Sequence, residues 1–220
     1  MFQFIEREST ARLVQVREYL NFIKSHSSID KPDEEPSYVK GEKGLFFVQL
    51  YGVVEYTVRE TVATTIASIN NEECKYKDCK PLFMSIALNS YFDSLTNIGD
   101  SKKWDKRWEI LTIMNSDSIL NLSDELMPTD GGNIKYKQLA SIWKSFCIED
   151  PILPRQNIGG YLNELVEKRN LIAHGNQTPE EVGSRFTSND LEIRFAAINE
   201  LCSYIIATFE DYIVNKKYLL

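Results

Sequence analysis

The feature that most constrains the fold is a long apolar segment running from Lys43 to about Ile69, in which few polar residues interrupt the hydrophobic ones. Its length, and the lack of a turn dipeptide inside it, favour one helix, although its valine, phenylalanine and tyrosine residues also suit a pair of strands. A helix with so little polar surface is normally central and covered on most sides. The segment therefore predicts the core helix of an all-α domain.

Helical periodicity recurs on both sides of this segment. A first helix is predicted from about Phe4 to Ser27, and a polar joint with two prolines follows it at residues 30–36. Further helices are predicted at residues 82–95, 104–114, 135–148 and 161–173, and in a long final segment that Asn189 would cap. No repeat or glycine-rich linker divides the chain. We therefore expect a single all-α domain over residues 1–220, with its first two and last two helices packed as a bundle.

Charge and cysteine content restrict the class of protein. The net charge is −7, which argues against a protein that coats DNA or binds an anionic membrane surface. The four cysteines form no CxxC pair, so we expect free thiols in a reducing compartment. Neither a signal peptide nor an apolar run long enough to span a bilayer is recognisable. The expected location is therefore the cytoplasm, with no membrane partner.

One short segment late in the chain holds residues suited to chemistry, namely Arg169, Asn170 and His174. The arginine offers a planar cation that fits phosphate, and a histidine can take up or give a proton near neutral pH. Asn170 adds an amide donor one helical turn before His174. Arg169 and His174 lie five positions apart, which is about 140° around a helix. They can converge only if the helix ends at His174 or a second chain completes the site.

The stretch Arg169-Asn170-Leu171-Ile172-Ala173-His174 resembles the R-N-x-x-x-H motif of the HEPN superfamily of small helical domains. An apolar second helix that carries a glutamate, and a long final helix after the motif, are also similar to that family. The nearest group is the standalone bacterial HEPN proteins of toxin–antitoxin and antiviral defence systems. The resemblance thus implies a HEPN-like helical bundle with a long final helix.

The same resemblance implies a metal-independent endoribonuclease that needs no cofactor. Family members pair as homodimers, so that both motifs meet in one composite active site on the RNA substrate. Arg169, His174 and Asn170 would be catalytic, and cleavage by transesterification would leave a 2′,3′-cyclic phosphate and a 5′-hydroxyl. A toxin of this kind also needs a restraining partner, such as an antitoxin or another regulator. Two alternatives remain: a catalytically silent HEPN module that binds RNA, nucleotide or a partner protein, and a structural helical protein.

Other candidate residues have two interpretations each. Glu55 is predicted to help position the site, or to form an ion pair with Arg59 one helical turn away. Trp104 and Trp108 are expected to pack on the core, and base stacking is the alternative. No residue pattern predicts a metal site.

Overall fold

The structure is a computed structural model that describes residues 2–27, 35–123 and 125–220. Within these ranges the chain forms nine α-helices: α1 (Phe2–His26), α2 (Ser37–Asn71), α3 (Met84–Ala87), α4 (Asn89–Asn97), α5 (Asp100–Met114), α6 (Tyr136–Ser145), α7 (Ile158–Ala173), α8 (Pro179–Gly183) and α9 (Ser188–Val214). Short 3-10 turns at Tyr76–Asp78 and Pro81–Phe83 join α2 to α3. The structure is 72% helical, and two isolated bridges are the β-type pairings in the described ranges. The predicted all-α class is confirmed.

Helix α2 is the central element, as its apolar sequence predicts. It begins at Ser37, six residues before the expected start, and continues without a break to Asn71. Helices α1, α7, α8 and α9 all pack against it, and α9 also packs on α1 and α7. The predicted bundle of the first two and last two long helices is therefore confirmed. The predicted polar joint lies mostly in residues 28–34, outside the described residues.

Helix α8 approaches α2 so closely that glycine is required on both sides. A Cβ atom added to Gly44 would lie 2.0 Å from the carbonyl oxygen of Pro179, and one added to Gly183 would lie 1.8 Å from that of Lys40. These obstacles are backbone atoms, which cannot rotate away as a side chain can. The contact therefore fixes α8, and the turn that precedes it, directly on the central helix.

The start of α9 differs from the prediction. Thr187, not Asn189, is the N-cap: its hydroxyl accepts a hydrogen bond from the Asp190 amide, and the Asp190 carboxylate accepts one from the Thr187 amide. Glu192, the expected partner of Asn189, instead pairs with Arg17 and Lys24 of α1. Because its carboxylate forms these ion pairs with another helix, Glu192 does not cap α9 together with Asn189.

The expected helix at residues 82–95 is also divided. The 3-10 turn, α3 and α4 follow one another there, with an interruption at Leu88.

The expectation that Trp104 and Trp108 pack on the core is wrong. Their side chains are 60% and 59% exposed, and their ring centroids lie 6.3 Å apart. Helix α5 buries a single residue, Ile110, on its opposite side. The spacing of the two tryptophans therefore marks one face of a helix, but that face is turned away from the core.

The four cysteine thiols are all free, and Cys79 and Cys202 are buried. Within the described ranges, no helix is both long and apolar enough to cross a bilayer. The same ranges hold no group of three or more histidine, cysteine or acidic residues arranged to bind a metal ion.

Candidate functional site

Helix α7 carries the candidate motif and ends within it. His174 is the C-cap residue, and Gly175 follows with a φ of 69°, a conformation that glycine adopts at little cost. The amides of Asn176 and Gln177 then donate to the carbonyl oxygen of Leu171, closing the end of the helix. The end of the helix predicted over residues 161–173 is confirmed. Arg169 and Asn170 therefore lie in regular helix, whereas His174 lies at its terminus.

The Arg169 guanidinium is half-buried and held by neutral groups. Its Nη1 donates to the Oδ1 atoms of Asn170, at 2.9 Å, and of Asn133, at 3.2 Å. Its Cζ lies 4.8 Å from the centre of the Tyr51 ring. None of the described carboxylates pairs with it, and its Nε and Nη2 atoms bond no described residue. One edge of the guanidinium is thus fixed, and the edge best suited to two oxygens of a phosphate is free.

Asn133 joins the site from the loop before α6. It follows the turn at Gly131, whose φ is 76°, and the turn is held by the Asp130 carboxylate, which accepts from the Gly132 amide and the Gln138 side chain. Asn133 Nδ2 donates to Asn170 Oδ1 at 3.0 Å. The turn therefore brings a second amide against the motif helix.

Tyr51 of α2 lies beneath this pair of amides. Its hydroxyl donates to Asn133 Oδ1 at 3.2 Å and accepts from the Ile134 amide at 3.1 Å. The side chain is buried, and this burial raises the pKa of Tyr51 above its ordinary value, while the bond from Ile134 and the charge of Arg169 act in the opposite direction. The phenol consequently stays protonated and keeps its role as a donor across the physiological range.

Glu55 forms the ion pair that was the alternative in the sequence analysis. Its carboxylate lies 3.3 Å from Arg59 Nε, and it contacts neither Arg169 nor His174. Its charge does reach Tyr51, where it contributes to the raised pKa. A positioning role for Glu55 stays a prediction.

His174 is exposed, and its ring bonds none of the described residues. Its backbone amide donates to the Asn170 carbonyl at 3.0 Å, so its position is fixed by the end of the helix. One chain joins Arg169 to Asn170 by a hydrogen bond, whereas the His174 ring has no hydrogen bond with either. This agrees with the angular separation expected from the spacing.

Sequence reasoning missed Asn133 and Tyr51 as members of the site. The turn ending at Asn133 was recognisable, and Tyr51 was recognisable as part of the apolar helix. Asn133 lies 36 residues before Arg169 in the chain, and Tyr51 lies further away still. Patterns within one segment do not encode contacts over such separations.

A bundle of long helices with an Arg-Asn-x-x-x-His segment at the end of its penultimate long helix defines a protein of the HEPN class. The chain matches the HEPN_MAE_28990-like HEPN family over residues 1–218. It therefore belongs to that family. HEPN domains are often ribonucleases or toxins, and they often bind RNA and dimerise. We found no significant match to the chain among curated proteins or among solved structures.

Proposed function

We propose that the protein is a metal-independent endoribonuclease that acts as a toxin or anti-phage effector in the cytoplasm. The observation that carries the proposal is the environment of the Arg169 guanidinium. It is held by Asn133, Asn170 and Tyr51, pairs with no described carboxylate, and keeps its phosphate-binding edge free. An uncompensated cation oriented by neutral groups is the arrangement expected of an anion-binding site. Membership of a HEPN family supports the assignment to RNA.

The chemistry needs the groups in this site, water and the RNA itself. His174 removes the proton from a ribose 2′-hydroxyl, and the 2′-oxygen forms a bond to the neighbouring phosphorus. The bond from phosphorus to the 5′-oxygen then breaks, and the leaving oxygen takes a proton from water, whose hydroxide neutralises the protonated His174. Arg169 stabilises the charge on the phosphoryl oxygens, and the free Nδ2 of Asn170 donates to one of them. The products are a 2′,3′-cyclic phosphate and a 5′-hydroxyl.

A second copy of the chain would supply the missing contact between the two key groups. Helix α2 exposes Leu45 and, next to Tyr51 in the chain, Gly52; a Cβ atom added to Gly52 would have no neighbour within 4 Å. A two-fold pairing through this surface would set Arg169 of one protomer near the partner's motif. A composite site of this kind explains why one chain leaves Arg169 and His174 apart.

The first experiment measures cleavage of labelled transfer RNA with EDTA present. We expect the wild type to cleave and to leave cyclic phosphate ends, and Arg169→Ala and His174→Ala to lose activity by about 100-fold or more while remaining folded. Full activity in His174→Ala would contradict the mechanism. RNA binding without cleavage by the wild type would instead assign the silent HEPN module.

A mixing experiment tests the composite site. Neither Arg169→Ala nor His174→Ala has an intact centre on its own, but a mixed dimer joins the arginine of one to the histidine of the other. When the two variants exchange subunits at random, half of the dimers are mixed, and each mixed dimer has one intact site out of two. The mixture should therefore recover about a quarter of wild-type activity. Gly52→Glu should give a folded, inactive monomer by light scattering. Gly160→Glu, at a second glycine whose Cβ would meet nothing, is the matched control.

The toxin role is tested by expression in bacteria. Wild type should arrest growth, and Arg169→Ala and His174→Ala should not. Normal growth with active, soluble wild type would remove the toxin assignment while leaving the ribonuclease assignment in place.

A further inference from the structure

We infer that Asn133 is a positioning residue for Arg169 and that Tyr51 anchors it, an inference that rests on the proposed ribonuclease function. Asn133 lies outside the motif and reaches Arg169 from another part of the chain. Its role would be to hold one edge of the guanidinium so that the opposite edge faces the scissile phosphate.

The hydrogen bonds of Asn133 allow only one orientation of its amide. Oδ1 accepts from two groups that can act as donors there, Arg169 Nη1 and the Tyr51 hydroxyl, and Nδ2 donates to Asn170 Oδ1. Turning the amide over would place its N–H groups against the guanidinium donors. The Tyr51 hydroxyl is fixed in turn, because it accepts from the Ile134 amide and is buried. A chain of bonds thus runs from the backbone to Arg169.

The neutrality of Asn133 is as important as its geometry. An arginine is commonly held by a carboxylate, which gives a stronger bond and also cancels its charge. Two amide oxygens hold Arg169 instead, at 2.9 and 3.2 Å, and its charge remains available for an anion. Aspartate at position 133 has the same shape as asparagine and would hold Arg169 more tightly, but it would cancel the charge of the guanidinium. An Asn133→Asp variant therefore distinguishes a positioning role from a structural one.

Asn133→Asp is therefore the decisive variant. It keeps an oxygen acceptor for Arg169 and Tyr51 and adds an ion pair with Arg169, but it loses the hydrogen bond from Nδ2 to Asn170, so thermal stability should change little. If Asn133 positions a free cation, kcat for RNA cleavage should fall about 10- to 100-fold with KM within about twofold. If its role is only structural, activity should stay at the wild-type level, and that result would overturn the inference. Asn163→Asp on α7 is the matched control, since Asn163 bonds the Tyr136 amide and not the network.

A second measurement keeps the inference testable if the wild type does not cleave RNA. The Arg169 Nε–H signal is followed by NMR during titration with inorganic phosphate, with Arg169→Lys for assignment. Wild type and Asn163→Asp should show a saturable shift, and Asn133→Asp should show one at least about 10-fold weaker in affinity. Equal titration by Asn133→Asp would refute the positioning role. An inactive wild type that still shows the phosphate response would refute the ribonuclease proposal alone.

Discussion

Gly44 in α2 should not tolerate even one added methyl group. An alanine Cβ would lie 2.0 Å from the Pro179 carbonyl oxygen, so α8 would have to move by about 1 Å or more before the contact became physically acceptable. Overpacking against a backbone costs about 3 kcal/mol, and the better helix propensity of alanine returns about 1 kcal/mol. We therefore expect Gly44→Ala to lower the free energy of unfolding by about 2 kcal/mol.

Gly41 provides the matched control on the same helix, because a Cβ there meets nothing within 4 Å. Gly41→Ala should raise stability by about 0.5–1 kcal/mol. Urea unfolding followed by circular dichroism should then separate the midpoints of the two variants by about 1–1.5 M. Midpoints that agree within about 0.3 M would show that α8 does not rest on α2 as described. Because α8 follows directly after the turn beyond His174, RNA cleavage by Gly44→Ala should also fall.

Three further outcomes are expected. Hydrogen bonds from the Gln138 side chain, the Gly132 amide and Lys137 lower the pKa of Asp130 from 3.8 to about 2. The ionised carboxylate therefore stabilises its turn fully above about pH 4, and this stabilisation is lost as the pH falls through 2. The Gly132 amide signal in NMR should titrate with that low midpoint. Lys43→Met should lower the free energy of unfolding by about 3–5 kcal/mol, measured in urea, because it leaves the buried Glu35 carboxylate without its partner. Burial raises the pKa of the Cys202 thiol to about 12, so it should react with iodoacetamide only after unfolding, as mass spectrometry would show.

The sequence predicts the bundle well because the long helices are specified by their own periodicity. The apolar segment of α2 and the spacing of buried residues in α9, from Leu191 to Phe209, each identify a helix and its buried face. The end of α7 is likewise local, since Gly175 needs a conformation that few other residues adopt. Family resemblance singled out Arg169, Asn170 and His174 as candidate catalytic residues from six consecutive residues, and their catalytic role stays a prediction.

The misassigned features depend on contacts between distant parts of the chain. Two overlapping capping patterns begin at Thr187 and Asn189, and the ion pairs of Glu192 with α1 help to decide between them. The Trp104 and Trp108 spacing shows a helix face but not whether another element covers it. Asn133 and Tyr51 reach Arg169 only after the bundle has formed. Patterns within one segment cannot specify such neighbours.

The two halves of the motif differ in mechanical freedom. Arg169 sits in continuous helix and is tied to three side chains, whereas His174 sits where the backbone changes direction at Gly175. The backbone of His174 is held by the helix end, so in the proposed site its ring can turn about its own side-chain bonds while the guanidinium stays in place. If the proposed function holds, a neighbouring substitution that restrains this ring would change proton transfer and leave the contact of Arg169 with phosphate unaltered.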